Sequence, residues 1–346
     1  MQALQLTDWH HDAELVEVEQ PDPGPGEVLV RVGAAGACHS DLHLMHDFAA
    51  GAVPWGPPFT LGHENAGWVH AVGAGVRGVE VGEPVAVYGP WGCGRCPRCR
   101  LGAENYCERQ PTLRAAGGGL GADGGMAPFM LVPDARWLVG LGDLDPIDAA
   151  PLTDAGLTPY HAVQRSRALL RPGSTALVVG VGGLGHMAVQ ILRELTPATI
   201  IVVDERPEAR TLALELGADH ALAPGDDAVS EVFGRTGGLG VDVAIDIVGS
   251  ESTLAFAAAV TRSLGHLTIV GLGGGVVPVG FFSLAYEVSV ATTYWGSIPE
   301  LGEVLALASA GRLRAEVHRF DLPHAMDAYR QMQSGELSGR AVIVPT

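Results

Sequence analysis

The stretch "WGCGRCPRCRLGAENYC", residues 91–107, holds four of the chain's five cysteines: Cys93, Cys96, Cys99 and Cys107. Their pattern is C-x2-C-x2-C-x7-C, in which thiolates two residues apart converge on one ion, and Zn2+ takes four sulfurs in a tetrahedral shell. Two disulfides or an iron–sulfur cluster are the other uses of such a run. A reducing compartment favours a metal over disulfides, and the spacing favours zinc. Four thiolates close the shell and leave no place for water or substrate, so zinc here orders a loop and does no chemistry itself. Arg95, Arg98 and Arg100 interleave the cysteines; they offset the charge of a Zn(Cys)4 centre or are plain solvated cations.

The fifth cysteine stands apart. Cys38 opens "CHSDLH", His63 and Glu64 lie in "LGHEN", and Asp154 lies in "LTDAGLTPYHA". A thiolate, an imidazole and a carboxylate together make a three-ligand zinc set with an open fourth position, the arrangement catalysis requires. Spacing alone leaves this set open. A lone buried cysteine also serves as a small hydrophobe, and the chain has 13 histidines from which to draw one.

A different chemistry is signalled by "PGSTALVVGVGGLGHMAVQILREL" from residue 172. A β-branched apolar run, a glycine cluster and apolar positions at helical spacing read as strand, loop and helix. Gly180, Gly182 and Gly185 form G-x-G-x-x-G, with Gly183 and Leu184 between the last two. The first glycine permits the turn, the second lets backbone approach a pyrophosphate, and the third lets helix pack on strand. The pyrophosphate would rest on the helix N-terminus. Nineteen residues beyond Gly185, the run "ATIIVVD" ends at Asp204, where a carboxylate accepts hydrogen bonds from an adenosine ribose and repels a 2′-phosphate. NAD is therefore favoured over NADP, with the nearby Arg206 as the opposing signal.

The elements that must hold these residues fall into two kinds. "GEVLVRVGAAG", "NAGWVHAVGAG" and "GEPVAVYGPWG" are short β-branched runs broken by Gly and Pro, the pattern of a compact β-rich domain. After residue 172, helical "RPEARTLALELGA", strand "VDVAIDIVG", helical "ESTLAFAAAVTRSL" and strand "HLTIVGLGGG" alternate, which implies a parallel sheet with helices on both faces. "ELGEVLALASAGRL" then reads as a helix and "GRAVIVP" as a returning strand. The expected division of this α/β chain is a β-rich domain over 1–155, a nucleotide-binding domain over 156–292, and a return to the first domain over 293–346.

The totals set the frame. A chain of 346 residues with 47% hydrophobic and 17% charged residues and 48 glycines is globular, rich in tight turns and long enough for two cores. A net charge of −18 argues against nucleic-acid or anionic-membrane surfaces, which need clustered Lys and Arg. The first residues lack the basic and apolar regions of a signal peptide. No run of about 18 residues is continuously apolar, so no spanning helix is expected. The composition reads as a cytoplasmic protein.

"GACHSDLH", "LGHEN", the four-cysteine run, "TDAGLT" and "GVGGLG" occur in the order found in the zinc-dependent medium-chain alcohol dehydrogenases, and the likeness covers essentially the whole chain. It is most similar to bacterial NAD-dependent secondary-alcohol dehydrogenases that act on bulky and aryl-substituted ketones, a likeness also carried by "GAENYC", "PLTDAGLTPYHA" and "YWG". The resemblance implies a GroES-like catalytic domain and a doubly wound Rossmann domain with a cleft between them. It also implies two zinc ions per chain, one held by Cys38, His63 and Asp154 with Glu64 beside it, the other structural and held by the four clustered cysteines.

The same resemblance implies that Ser40 accepts the alcohol proton and relays it through the nicotinamide ribose to His43, with Asp41 orienting a zinc-binding histidine. It places His39 and Arg340 near the cofactor pyrophosphate, and Thr158 with the backbone around Val248, Val270 and Leu272 at the nicotinamide. Trp55, Leu120, Phe282, Tyr294 and Trp295 are its substrate-pocket positions. A homo-oligomer, dimer or tetramer, is expected, joined by edge strands near "VVPVGFF", with a small alcohol or ketone as substrate. The competing expectations are a dehydrogenase of primary alcohols, aldehydes or polyols, and a catalytically silent binding protein on the same fold.

Overall fold

The structure is a computed structural model that describes residues 1–345. The chain divides into two compact units: Met1–Leu157 together with the chain from Trp295 onward, and Thr158–Tyr294. In chain order the strands named below are β1 (Val28–Gly36), β2 (Glu64–Val72), β3 (Pro84–Val87), β4 (Phe129–Val132), β5 (Leu138–Gly140), β6 (Thr175–Val179), β7 (Thr199–Val203), β8 (His220–Leu222), β9 (Val241–Asp246), β10 (Thr261–Ile269), β11 (Ser289–Thr292), β12 (Val317–Asp321) and β13 (Arg340–Val344). The helices are α1 (His39–His46), α2 (Leu157–Ser166), α3 (Gly185–Leu195), α4 (Pro207–Glu215), α5 (Glu251–Val260), α6 (Ile298–Ser309) and α7 (Ala325–Gln333).

The first unit is organised by β1. Its sequence VLVRVGAAG is apolar throughout and buried at every position but Arg31, as an interior strand must be. One edge of β1 pairs antiparallel with β2 along its length, and Gly36 stands opposite Glu64. The other edge is shared, β4 taking Val28–Arg31 and β13 taking Ala35 and Gly36. The sheet has seven strands, with β5, β3, β2, β1, β13 and β12 in order and β4 beside β1. The functional consequence lies at the end of β1. Cys38 follows it, Glu64 opens β2 beside it with His63 just before, and Arg340 opens β13, so three distant segments converge within one register.

The second unit carries a six-stranded sheet in the order β8-β7-β6-β9-β10-β11, every neighbouring pair parallel. This is the doubly wound order, whose reversal beside β6 marks where ligands bind. β6 is central and wholly buried, which is why its sequence is a continuous apolar run without alternation. Leu177, Val179, Ile201, Val203, Ala244 and Leu267 belong to one core cluster, and each large side chain so buried contributes roughly 1.5–3 kcal/mol.

One expectation fails here. The segment "ESTLAFAAAVTRSL" is not one helix, because α5 ends at Val260 and Thr261 already pairs with Val241 on β9, ahead of a register shift. The β-branched Thr261 caps the helix through its hydroxyl, 2.7 Å from Ala257 O, and the alanine-rich period carries no signal for that stop. The strand read in "HLTIVGLGGG" likewise ends at Ile269, and its glycines lie in irregular chain beyond it. Among the described residues, no helix is long and apolar enough to cross a membrane.

Candidate active site

Cys38 caps the N-terminus of α1 in extended conformation, with φ −117° and ψ 152°. Asp41, one turn on, reaches back so that its Oδ2 accepts the Cys38 N–H at 2.9 Å, while its Oδ1 lies 3.0 Å from His63 Nδ1. A histidine held at Nδ1 by a carboxylate presents Nε2 in a fixed direction. That atom lies 3.8 Å from Asp154 Oδ2 and 3.2 Å from Ser40 Oγ. Cys38 Sγ is 4.0 Å from Asp154 Oδ2. One donor atom each from Cys38, His63, Glu64 and Asp154, all four residues buried, lies within 4.8 Å of the others.

The electrostatics suit a cation. Burial alone would push the Cys38 thiol up, but the Arg340 charge and His63 outweigh it and bring the thiol down to about 7. Burial disfavours the charged forms of Asp41 and His63 as well, yet each stabilises the other: Asp41 ends below the usual carboxylate range and His63 well above the usual imidazole range. Glu64 is pushed up to about 8 by burial, against the opposing pull of Arg340. Arg340 is a buried residue, 4% exposed, whose guanidinium grips both Glu64 oxygens, Nε to Oε2 at 2.8 Å. The Ala155 N–H also donates to Glu64 Oε1 at 3.0 Å, so Glu64 is braced from two sides.

The rim of this cluster brings some expected residues together and not others. The Trp295 ring stands edge-on to His63, centroids 5.6 Å apart, on a backbone in the left-handed region with φ 50°, a strain that clusters at functional sites. Trp55 and Leu120 both pack against the first unit's core, and Trp55 meets Phe59 edge-on. Phe282 is 90% exposed and Tyr294 41% exposed, so neither is enclosed in the single chain. His39 is exposed on the first turn of α1, Ser40 is half-buried, and His43 Nδ1 meets Asp47 Oδ2 at 2.5 Å at the far end of that helix.

The four clustered cysteines are brought together as their spacing implies. Cys96 Sγ and Cys99 Sγ are 3.4 Å apart, and Cys93 Sγ and Cys99 Sγ 3.9 Å. Those separations are far too long for a disulfide, and a tetrahedron of thiolates at about 2.3 Å from zinc has edges of about 3.8 Å. Backbone N–H groups of Cys93, Cys96, Cys99 and Arg109 point at the sulfurs at 3.3–3.5 Å, and donors from Arg95 and Cys96 bring the Cys93 thiol down to about 6. The residues fit a structural zinc.

Sequence reasoning missed what holds this lobe. The buried Glu104 accepts the Gly92 N–H at 2.7 Å and the Trp137 indole N–H at 2.8 Å, with Arg136 Nε 3.1 Å away. Its place inside the four-cysteine run was the available signal.

In the second unit, β6 leads into the glycine loop and α3. Gly180 has φ 87°, and a Cβ on Gly185 would sit 1.9 Å from Gly180 O, so helix and strand approach only through glycine. Gly182 is different: a Cβ there would meet nothing nearer than Arg206 Nη2 at 3.9 Å. The protein's own packing does not explain that missing side chain, and a ligand lying over the loop would. Asp204 Oδ2 accepts the Val181 N–H of this loop at 2.7 Å, and Oδ1 accepts the Arg206 N–H at 2.9 Å. Burial pushes the Asp204 carboxyl up, but Arg206 and these amides hold it below its usual range. These residues fit a dinucleotide.

Thr158 is buried in the first turn of α2. Val248 and Val270 both give their N–H groups to Asp246, at Oδ1 and at the carbonyl O, so those donors hold the turns. Gly273 N–H reaches Val248 O at 3.1 Å, which laces the two turns together, with Leu272 between them.

Comparison with known proteins agrees with this chemistry. Residues 24–143 match the alcohol dehydrogenase GroES-like domain and residues 183–310 the zinc-binding dehydrogenase domain. The NAD-dependent alcohol dehydrogenase of Sulfurisphaera tokodaii is 36% identical over all of both chains. The D-arabinose 1-dehydrogenase (NADP(+)) of Saccharolobus solfataricus is 33% identical over 99% of this chain and 97% of that one. Among solved structures, the alcohol dehydrogenase of Aeropyrum pernix matches with TM-score 0.92 and 38% identity over all of both chains. The acetophenone reductase of Geotrichum candidum, solved with NAD, matches with TM-score 0.86 and 31% identity over 99% of this chain and 96% of that one. With a buried Cys–His–Asp donor set, a four-cysteine lobe and a glycine loop on a doubly wound sheet, the chain belongs to the zinc-dependent medium-chain alcohol dehydrogenases.

Proposed function

We propose that this enzyme oxidises secondary alcohols to ketones with NAD, reversibly, and that it accepts bulky and aryl-substituted substrates. The observation that carries the reading is the buried convergence of Cys38, His63 and Asp154 beside Ser40. Each chain would hold two zinc ions, one at that set and one at Cys93, Cys96, Cys99 and Cys107. The first unit would carry substrate and both metals, and Thr158–Tyr294 the nucleotide.

When bound, zinc supplies Lewis acidity near neutral pH and NAD supplies the hydride acceptor. The protein's part is to position and to move one proton. Asp41 fixes the His63 ring. Ser40 Oγ, 3.2 Å from His63 Nε2, takes the hydroxyl proton of the alcohol, and His43 at the exposed end of α1 is the proton sink, held by Asp47. Glu64, braced by Arg340, stands ready behind the set. Asp204 and the glycine loop hold the adenosine end, and the laced turns at Val248 and Leu272 shape the nicotinamide end. Trp295, Trp55 and Leu120 supply apolar surface for the substituents of the carbinol. The balance is one alcohol and NAD+ giving one ketone, NADH and a proton.

The test is NADH formation followed by absorbance with matched primary, secondary and aryl carbinols and with D-arabinose, each offered with NAD and NADP. Higher kcat/KM for secondary and aryl carbinols with NAD is expected. Preference for D-arabinose would move the reading to an aldose dehydrogenase, as the 33% identical relative is named, and no turnover on a zinc-replete protein would favour a binding protein.

A homo-oligomer belongs to the same reading. Val276, Val279, Phe281, Phe282 and Tyr286 are 64–90% exposed and precede β11, an edge strand with a free side. Exposed apolar side chains of this kind, with Phe281 against Phe282 and Tyr286, beside an open edge invite a second copy. Light scattering on the purified protein should give a dimer or tetramer; a monomer would remove this claim. The net charge of −18 suits a soluble cytoplasmic enzyme.

A further inference from the structure

We propose that the Tyr329 hydroxyl is a positioning group for the Cys38–His63 pair, acting through Asp41. Tyr329 lies on α7, 288 residues from Asp41 in sequence, and its hydroxyl donates to Asp41 Oδ2 at 2.7 Å. The ring is 1% exposed and Asp41 is fully buried. Asp41 is thus held at Oδ2 by the Cys38 N–H and the Tyr329 hydroxyl, while its Oδ1 lies 3.0 Å from His63 Nδ1. One carboxylate therefore ties the backbone of Cys38 to the ring of His63, and among the described residues Tyr329 is what holds it from outside that pair.

The surroundings make this hydroxyl informative. Tyr329 belongs to an apolar cluster with Leu42, Met45, Leu322, Ala325 and Leu337, where a phenylalanine would pack as well. Besides Asp41, the hydroxyl meets the Met126 sulfur at 3.4 Å, a weak acceptor. A buried tyrosine is kept in such a place for its hydroxyl, and this one is aimed at the carboxylate that sets the direction of His63 Nε2. Groups behind the residues that hold a metal set their orientation, and their loss typically costs about 10- to 100-fold in metal affinity or activity. Tyr329 stands one contact further out, so about 10-fold is expected.

The proposal rests on the reading of Cys38, His63 and Asp154 as zinc ligands. The test compares wild-type and Tyr329→Phe proteins, as purified, in three measurements: zinc retained per chain against a graded chelator, visible absorption of the Co2+-substituted protein, and Tm. Expected for Tyr329→Phe is loss of one zinc equivalent at about tenfold lower chelator, with shifted cobalt bands and with the second equivalent retained as in wild type. In an Asp41→Asn background, adding Tyr329→Phe should change neither metal retention nor the cobalt bands further. A lowered Tm with unchanged retention and unchanged bands would overturn the proposal, as would additive effects of the two substitutions. Wild-type protein that binds a single zinc, lost on substitution of Cys99, would overturn the ligand reading and this proposal together. Two zincs in the wild type with retention and cobalt bands both unaltered in Tyr329→Phe would overturn this proposal alone.

Discussion

On the two-zinc, secondary-alcohol reading proposed above, Cys38→Ser protein is expected to carry one zinc in place of two and to lose on the order of 10³-fold or more in kcat/KM for a secondary alcohol. A metal acting on a polarised oxygen supplies several kcal/mol of barrier reduction, and each 1.36 kcal/mol is a factor of ten. Serine matches cysteine in shape and keeps the N–H that Asp41 Oδ2 accepts, so the first turn of α1 should stand. What changes is the donor. The Cys38 thiol, brought down to about 7 by Arg340 and His63, supplies a thiolate near neutrality, whereas a hydroxyl there stays protonated and binds zinc poorly. His63 and Asp154 alone cannot close the set.

The structural lobe has its own scaffold in Glu104, Arg136 and Trp137, so its zinc should remain. Metal analysis and NADH absorbance on one preparation decide the matter. Full activity with one zinc would remove the Cys38 set from the mechanism, and loss of both zincs would mean that the substitution had damaged more than one site.

What could be read from the sequence divides by the distance over which the physics acts. The four-cysteine lobe and the glycine loop were legible because their ligand spacing and turn geometry are local. The strands β6 and β7 were legible because burial on both faces leaves an uninterrupted apolar run. Cys38, His63 and Asp154 reached the same cluster through resemblance. Their convergence depends on the register that sets Gly36 against Glu64, and no local pattern encodes it. Tyr329 and Glu104 were not found at all. Each is one polar residue in an ordinary element, and its meaning comes from a partner 288 or 33 positions away, Asp41 or Trp137. The end of α5 was misplaced because a capping hydroxyl and a strand partner, not the helical period, decide where it stops.

Cofactor choice is the sharpest remaining expectation, and it turns on Asp204. On the reading proposed above, its carboxylate receives the adenosine ribose hydroxyls, and it is held ionised by Arg206 and the loop amides. Charge-assisted hydrogen bonds of this kind contribute roughly 1.5–3 kcal/mol each, so Asp204→Ala should lower kcat/KM with NAD by about 10- to 100-fold. The same substitution frees Arg206, whose Nε lies 3.2 Å and Nη2 3.3 Å from the carboxylate oxygens. A guanidinium released there can pair with a 2′-phosphate, so kcat/KM with NADP should rise while that with NAD falls.

A double variant separates the two causes. Asp204→Ala with Arg206→Ala should keep the loss with NAD and abolish the gain with NADP, because only the arginine accounts for the gain. The Val181 N–H also loses its acceptor in either variant, and if that loosens the loop, both cofactors weaken in equal measure. Equal weakening would place Asp204 with the scaffold of the glycine loop and leave the choice between NAD and NADP to other residues. An inverted preference would assign that choice to the contest between one carboxylate and one guanidinium two residues apart.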